Sequence, residues 1–121
     1  MPPTATLGQF EQLVLTAILM LRDAAYGVTI HAKVEQLAHP RTVSLGAVYA
    51  TLDRLEDKQL ISSWISDPTP ERGGRSKRHY RLETSGEKAL ETSAVSARRM
   101  WDALSDAWGD HLERRWRKAW K

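Results

Sequence analysis

Apolar side chains fall at positions 7, 10, 14, 17, 18 and 21. Steps of three and four place them on one helical face, so the spacing predicts a first helix over residues 7–22. Residues 23–26 break it. A second helix follows over about 27–38, with Ile30, Val34 and Leu37 on one side. Pro40 stops it, because the residue before a proline avoids helical backbone. Residues 41–43 are too short for more than a bridging strand. Ser44 is placed to cap a third helix by accepting a free backbone N–H. That helix carries Leu45, Val48, Leu52 and Leu55 on one face. In LISSWISD (60–67) the period falls to an imperfect alternation, which predicts a strand. PTPERGGRSK contains the Gly73–Gly74 pair suited to a hairpin turn, and RHYRL (78–82) is the return strand, with Tyr80 and Leu82 on one face. Thr84-Ser85-Gly86-Glu87 reads as a capping box opening a long fourth helix, from about Ser85 to at least Trp108.

The third helix is unusual at its front. In SLGAVYATLDRLEDK the first turn holds only Ser44, Gly46 and Ala47 around Leu45, with Tyr49 one turn in and Ala50 beside it. Small uncharged side chains keep a helix end slim. Free N–H groups and the positive end of the helix dipole are then able to meet a phosphate.

The 121 residues amount to one domain with an appended arm, and 41% hydrophobic against 27% charged residues supports a packed core. Net charge is +3, unevenly placed. Residues 1–60 hold 5 Lys/Arg and 6 Asp/Glu; residues 61–121 hold 13 and 9. A basic second half points to a polyanionic partner. The absence of cysteine excludes disulfides and thiolate metal sites. The apolar run LVLTAILML is too short to span a bilayer and lacks a basic flank, so a cytoplasmic protein without membrane attachment is expected.

Helix, helix, short strand, helix, hairpin, helix is the order of a winged helix-turn-helix. The DNA major groove, about 12 Å wide, admits a slim helix end. Arg54 and Thr51 are expected on the outer side of that helix. The hairpin supplies charge: RGGRSKRHYR contains Arg72, Arg75, Lys77, Arg78 and Arg81 and no acid. Such a wing suits the phosphate backbone. Four to six phosphate contacts by a dimer would cost about two to three orders of magnitude in affinity between roughly 50 and 200 mM salt. The fold expected is mainly α with a small β-hairpin: a disordered start (1–6), a winged helix-turn-helix domain (7–83), and a C-terminal dimerisation helix with a basic tail (84–121).

Leu90, Ala94, Ala97, Trp101, Leu104, Trp108 and His111 are spaced 4, 3, 4, 3, 4, 3, a heptad seam that predicts a homodimer. A dimer would set two recognition helices about 34 Å apart, facing a near-palindromic site. Trp101 and Trp108 at its axis make either a slot for a flat aromatic ligand or plain core aromatics. Trp116 and Trp120 in the basic tail either meet an anionic surface or fold back on the body. His31, Glu35 and His39 lie two turns end to end, a poor metal geometry, so no metal is expected. No phosphate loop, nucleophile–base pair or cofactor motif is evident, so no catalysis is expected.

These pieces resemble the PadR family of bacterial transcriptional regulators. The likeness spans residues 7 to about 90. It rests on LGQFEQLVLTAILML, Ala25-Tyr26-Gly27, SLGAVYATLDRLEDKQLI, PERGGRSKRHYRL and Thr84-Ser85-Gly86. The short C-terminal part is similar to the small members with one long terminal helix. The resemblance implies a dimeric winged-helix repressor of a neighbouring gene, released by a small molecule, with DNA contacts at Tyr49 and nearby helix residues and at Arg75, Lys77 and Arg78. Two departures stand out: Leu45-Gly46-Ala47 replaces the Pro-Gly-Thr of many relatives, and Gln59 stands where a glycine often closes the helix. The alternative from another class is a winged helix whose basic wing binds an acidic protein.

Overall fold

In a computed structural model the chain is described over residues 6–66 and 76–120, without the side chains of 110–113 and 116–120. Its elements are α1 (Gln9–Leu21), a 3-10 turn (Arg22–Ala24), α2 (Gly27–Ala38), α3 (Leu45–Asp57), β1 (Ile61–Ile65), β2 (Arg78–Leu82) and α4 (Thr84–Trp120). The chain divides into two compact units, Met1–Leu90 and Glu91–Lys121.

The first unit is built on the apolar stripes of three helices. Val14, Leu15, Ala17 and Ile18 of α1, Ile30 and Val34 of α2, and Val48, Leu52 and Leu55 of α3 are buried together. Leu7, Ala25, Val43, Leu60, Ile61, Tyr80 and Ala89 complete this core. Each buried Val, Leu or Ile side chain contributes about 1.5–3 kcal/mol by leaving water. Glu11 ties two helices: Oε1 accepts from the Gly8 N–H at 3.0 Å and Oε2 from Lys58 Nζ at 2.8 Å. Burial pushes its carboxyl up, but the Lys58 and Gly8 hydrogen bonds with the Lys58 and Arg54 charges outweigh that and hold it below the ordinary value.

β1 and β2 pair antiparallel from Ile61↔Leu82 to Ile65↔Arg78. Residues 41–43 form no strand, contrary to the sequence expectation. The sheet's third partner is Tyr26, which bridges His79, while the Tyr80 N–H donates to the Ala25 carbonyl at 2.9 Å. Alternation cannot reveal a one-residue bridge.

Two helix boundaries are made differently from the sequence expectation. α4 begins at Thr84 itself, so Thr84 is its first residue rather than its cap; the Glu87 N–H goes to the Glu83 carbonyl. Ser85 Oγ donates to the Gln59 carbonyl at 2.7 Å. A Cβ on Gly86 would overlap the Leu60 carbonyl oxygen, so the residue must be glycine for this close approach. Farther on, α4 is interrupted at Gly109 (φ 46, ψ −133), one residue after Trp108. The seam through Trp108 therefore lies on continuous helix, and His111 falls beyond the kink.

Candidate nucleic-acid interface

The recognition helix starts as its sequence requires. Ser44 is extended (φ −77, ψ 149), and its Oγ accepts from the Ala47 N–H at 3.0 Å. The Leu45 and Gly46 amides have no helical partner, as in the first turn of any helix. Ser44, Leu45, Gly46, Ala47, Tyr49 and Ala50 are all exposed; of residues 44–50 only Val48 is buried. A Cβ added at Gly46 would meet nothing within 4 Å. At Gly46, then, the bareness serves no contact among the described residues.

His31 holds the turn that leads into α3. Its Nε2 lies 2.7 Å from the Val43 carbonyl, one residue before Ser44, and 3.3 Å from Glu35 Oε1. Among the described residues no His, Cys, Asp and Glu cluster is arranged to hold a metal.

Tyr49 is seated rather than free. A Cβ on Gly27 would overlap the Tyr49 hydroxyl and stand 2.6 Å from its Cζ. The glycine therefore leaves space for the ring over the first turn of α2. Arg54 is exposed as expected, but Thr51 is not: it is buried, and its Oγ1 accepts from the Arg54 guanidinium at 3.1 Å. At this position the helix has turned inward.

The wing is described at its root. Arg72 and Arg75 lie outside the described residues. Lys77 Nζ stands 4.0 Å over the Tyr26 ring. Arg78 donates to Ser63 Oγ at 2.9 Å, and Ser63 in turn donates to Glu56 at 2.7 Å. Arg81 reaches Ser62 Oγ at 3.3 Å and stands 5.7 Å over Trp64. Each cation is held in place by its own neighbours, which lowers the entropy lost on meeting a phosphate. Lys77, Arg78 and Tyr49 line one cleft, so the basic strand and the recognition helix share a surface.

In the second unit, Ala94, Ala97, Trp101 and Trp108 are exposed, with Trp101 44% and Trp108 49% accessible, and Leu104 is half-buried. Leu90, in the first unit, is half-buried against its core. The expected seam is thus open to solvent along most of its length.

The sequence profile of the PadR-like family of transcriptional regulators matches residues 15–92. The chain belongs to this family. Its members are transcription regulators, not enzymes, and a DNA-binding regulator is the kind of protein this is. Among solved structures, a PadR family transcription regulator from Clostridium difficile R20291 is similar at 24% identity and TM-score 0.63, over 87% of this chain and 99% of that one. A PadR-like transcription factor from Bacteroides fragilis is similar at 24% identity and TM-score 0.65, over 83% and 90%. A single-site mutant of MepR from S. aureus is similar at 16% identity and TM-score 0.68, over 93% and 74%. These likenesses carry the winged-helix fold of the PadR-like regulator. No curated protein matches the chain. Among the described residues no helix is long and apolar enough to cross a membrane.

The sequence pattern missed three residues at this surface. By sequence Tyr26 belongs to a helix break, Asp53 to the third helix, and Tyr80 to one face of the return strand with Leu82. All three line the cleft beside Tyr49. Only the fold brings positions 26, 53 and 80 together, so no local signal could have found them.

Proposed function

We propose that this PadR-like regulator is a homodimeric repressor that binds a near-palindromic operator. The first turn of α3 enters the major groove and the wing grips the backbone. The observation that carries this is the run Ser44–Ala47 with Tyr49 and Ala50: exposed and uncharged, with open space at Gly46 among the described residues. Lys77 and Arg78, with Arg72 and Arg75 of the wing, supply the phosphate contacts. The second copy packs along Leu90, Ala94, Ala97, Trp101, Leu104 and Trp108, whose apolar surface is mostly open in the single chain. Trp101 and Trp108 then face their mates, and a small aromatic ligand between them releases the operator. Exposure of both indoles supports that reading over plain core aromatics within one chain.

The test is a gel shift on the DNA upstream of the protein's own gene, with Arg78→Ala and with Lys77→Ala. Each variant should weaken binding and flatten the salt dependence, its slope falling by about 2, because one substitution removes a phosphate contact from each of the two protomers. Binding that is equal for parent and variants, and insensitive to salt, removes the wing from the interface and favours a protein partner instead.

A further inference from the structure

The cleft beside Tyr49 has a volume of about 650 Å³ and opens between α3, the first turn of α2 and β2. That is within the range of small-molecule sites. At its floor lies Tyr80, 4% exposed, whose hydroxyl makes no hydrogen bond among the described residues. The residue as a whole is buried, but its hydroxyl oxygen is not among the buried polar atoms without a partner, so it is open to the cleft and free to meet a ligand atom in place of water. Burial pushes this phenol above its ordinary value; Arg78 opposes the shift, while Glu56, Asp53 and Tyr49 add to it. It stays neutral and is able both to donate and to accept.

The other groups define what that ligand must bring. Asp53 makes no hydrogen bond or ion pair among the described residues. Its carboxylate is acceptor-only, so the ligand must donate, preferably with positive charge. Glu56 is already engaged, accepting from Ser63 Oγ at 2.7 and 3.0 Å. The walls are the rings of Tyr26 and Tyr49. One of them already carries a cation, the Lys77 ammonium 4.0 Å over Tyr26. Lys77 and Arg78 of the same lining attract the phosphate backbone, whereas Asp53 and Glu56 oppose a phosphate beside them, and a paired base would have to leave its stack to reach Tyr80.

We infer that this cleft is a binding site for a small aromatic amine. Its ammonium group meets the Asp53 carboxylate and the Tyr80 hydroxyl, and its ring lies against Tyr49. This site is separate from the Trp101–Trp108 seam. Because Tyr49, Lys77 and Arg78 line the same cleft, an occupant competes directly with duplex DNA. That competition, unlike the binding itself, rests on the proposed DNA interface.

The experiment titrates the full chain with tyramine, and with 4-ethylphenol as the uncharged analogue, following amide shifts by NMR. Tyramine should saturate with a Kd of about 0.1–1 mM, the range open to a ligand of its size, and 4-ethylphenol should bind at least tenfold more weakly. Asp53→Asn, at an exposed position, should weaken tyramine about tenfold and leave 4-ethylphenol unchanged. Tyr80→Phe should weaken tyramine several-fold. Absence of saturation by about 10 mM, equal binding of the two compounds, or an unchanged affinity in Asp53→Asn overturns the site. In a second arm, tyramine should displace labelled upstream DNA from the parent; tyramine and DNA bound together overturn the competition. If the parent binds no DNA even without tyramine, the DNA reading fails, and the amine site still stands or falls by the first arm alone.

Discussion

Gln59 carries a positive φ of 62, the backbone region that normally calls for glycine. It closes α3 all the same. The Leu60 N–H reaches the Leu55 carbonyl at 3.0 Å and the Gln59 N–H reaches the Glu56 carbonyl at 2.9 Å, a Schellman closure with glutamine in the left-handed position. The sequence already marked this residue as standing where relatives place glycine, and the structure shows how the stop is made without one. Gln59→Gly should therefore raise stability by about 0.5–1 kcal/mol, read as a higher urea midpoint at unchanged slope. A lower midpoint would mean that the side chain does more than the backbone geometry indicates. Gly27 and Gly86 were legible only as motif letters; what they make room for, the Tyr49 ring and the Leu60 carbonyl, is set by chain segments 22 and 26 residues away.

At the scale of elements, periodicity located the helices closely, because the stripes of α1, α2 and α3 share one core and steps of three and four mark a helical face. α2 spans the expected 27–38 and β2 the expected 78–82. What periodicity could not reach were contacts made by single atoms: Tyr26 as the sheet's third partner, Thr51 turned inward, and Glu11 joining α1 to the end of α3. The last has a pH signature. The Glu11 carboxyl lies below its unfolded value, near 4.5, so its stabilisation is fully present above that pH and is lost as pH falls through the folded value. Glu11→Gln should melt earlier than the parent at pH 7, and the two curves should converge as pH falls through the lowered folded value of the Glu11 carboxyl. A gap that stays constant from neutral to acid pH would show that the ion pair is not its source.

For the whole molecule, the basic second half and the heptad spacing spoke for a polyanion and a second copy, and the family fixes the first of these as a DNA-binding regulator. The candidate interface was legible in part: the slim first turn and the wing cations Lys77 and Arg78 are where the sequence placed them, while Arg72 and Arg75 lie outside the described residues. The dimer is a separate matter. Trp101→Glu places a charge on the proposed seam, and burying an unpaired carboxylate is costly enough to prevent association. Light scattering should then give a dimer for the parent and a monomer of 13.7 kDa for the variant. An unchanged mass would remove α4 as the seam while leaving the winged helix intact.

The central claim is that the bare opening turn of α3 is a surface for DNA, and Gly46→Glu tests it most directly. A Cβ there meets nothing within 4 Å among the described residues, so the fold should be retained and the melting temperature should change little. A carboxylate at that position would face the phosphates and crowd the groove. Fluorescence anisotropy on the upstream DNA should show salt-dependent binding by the parent and a loss of about a hundredfold or more in the variant, roughly the cost of 2.7 kcal/mol. A folded Gly46→Glu protein that binds the same DNA as tightly as the parent would contradict the account.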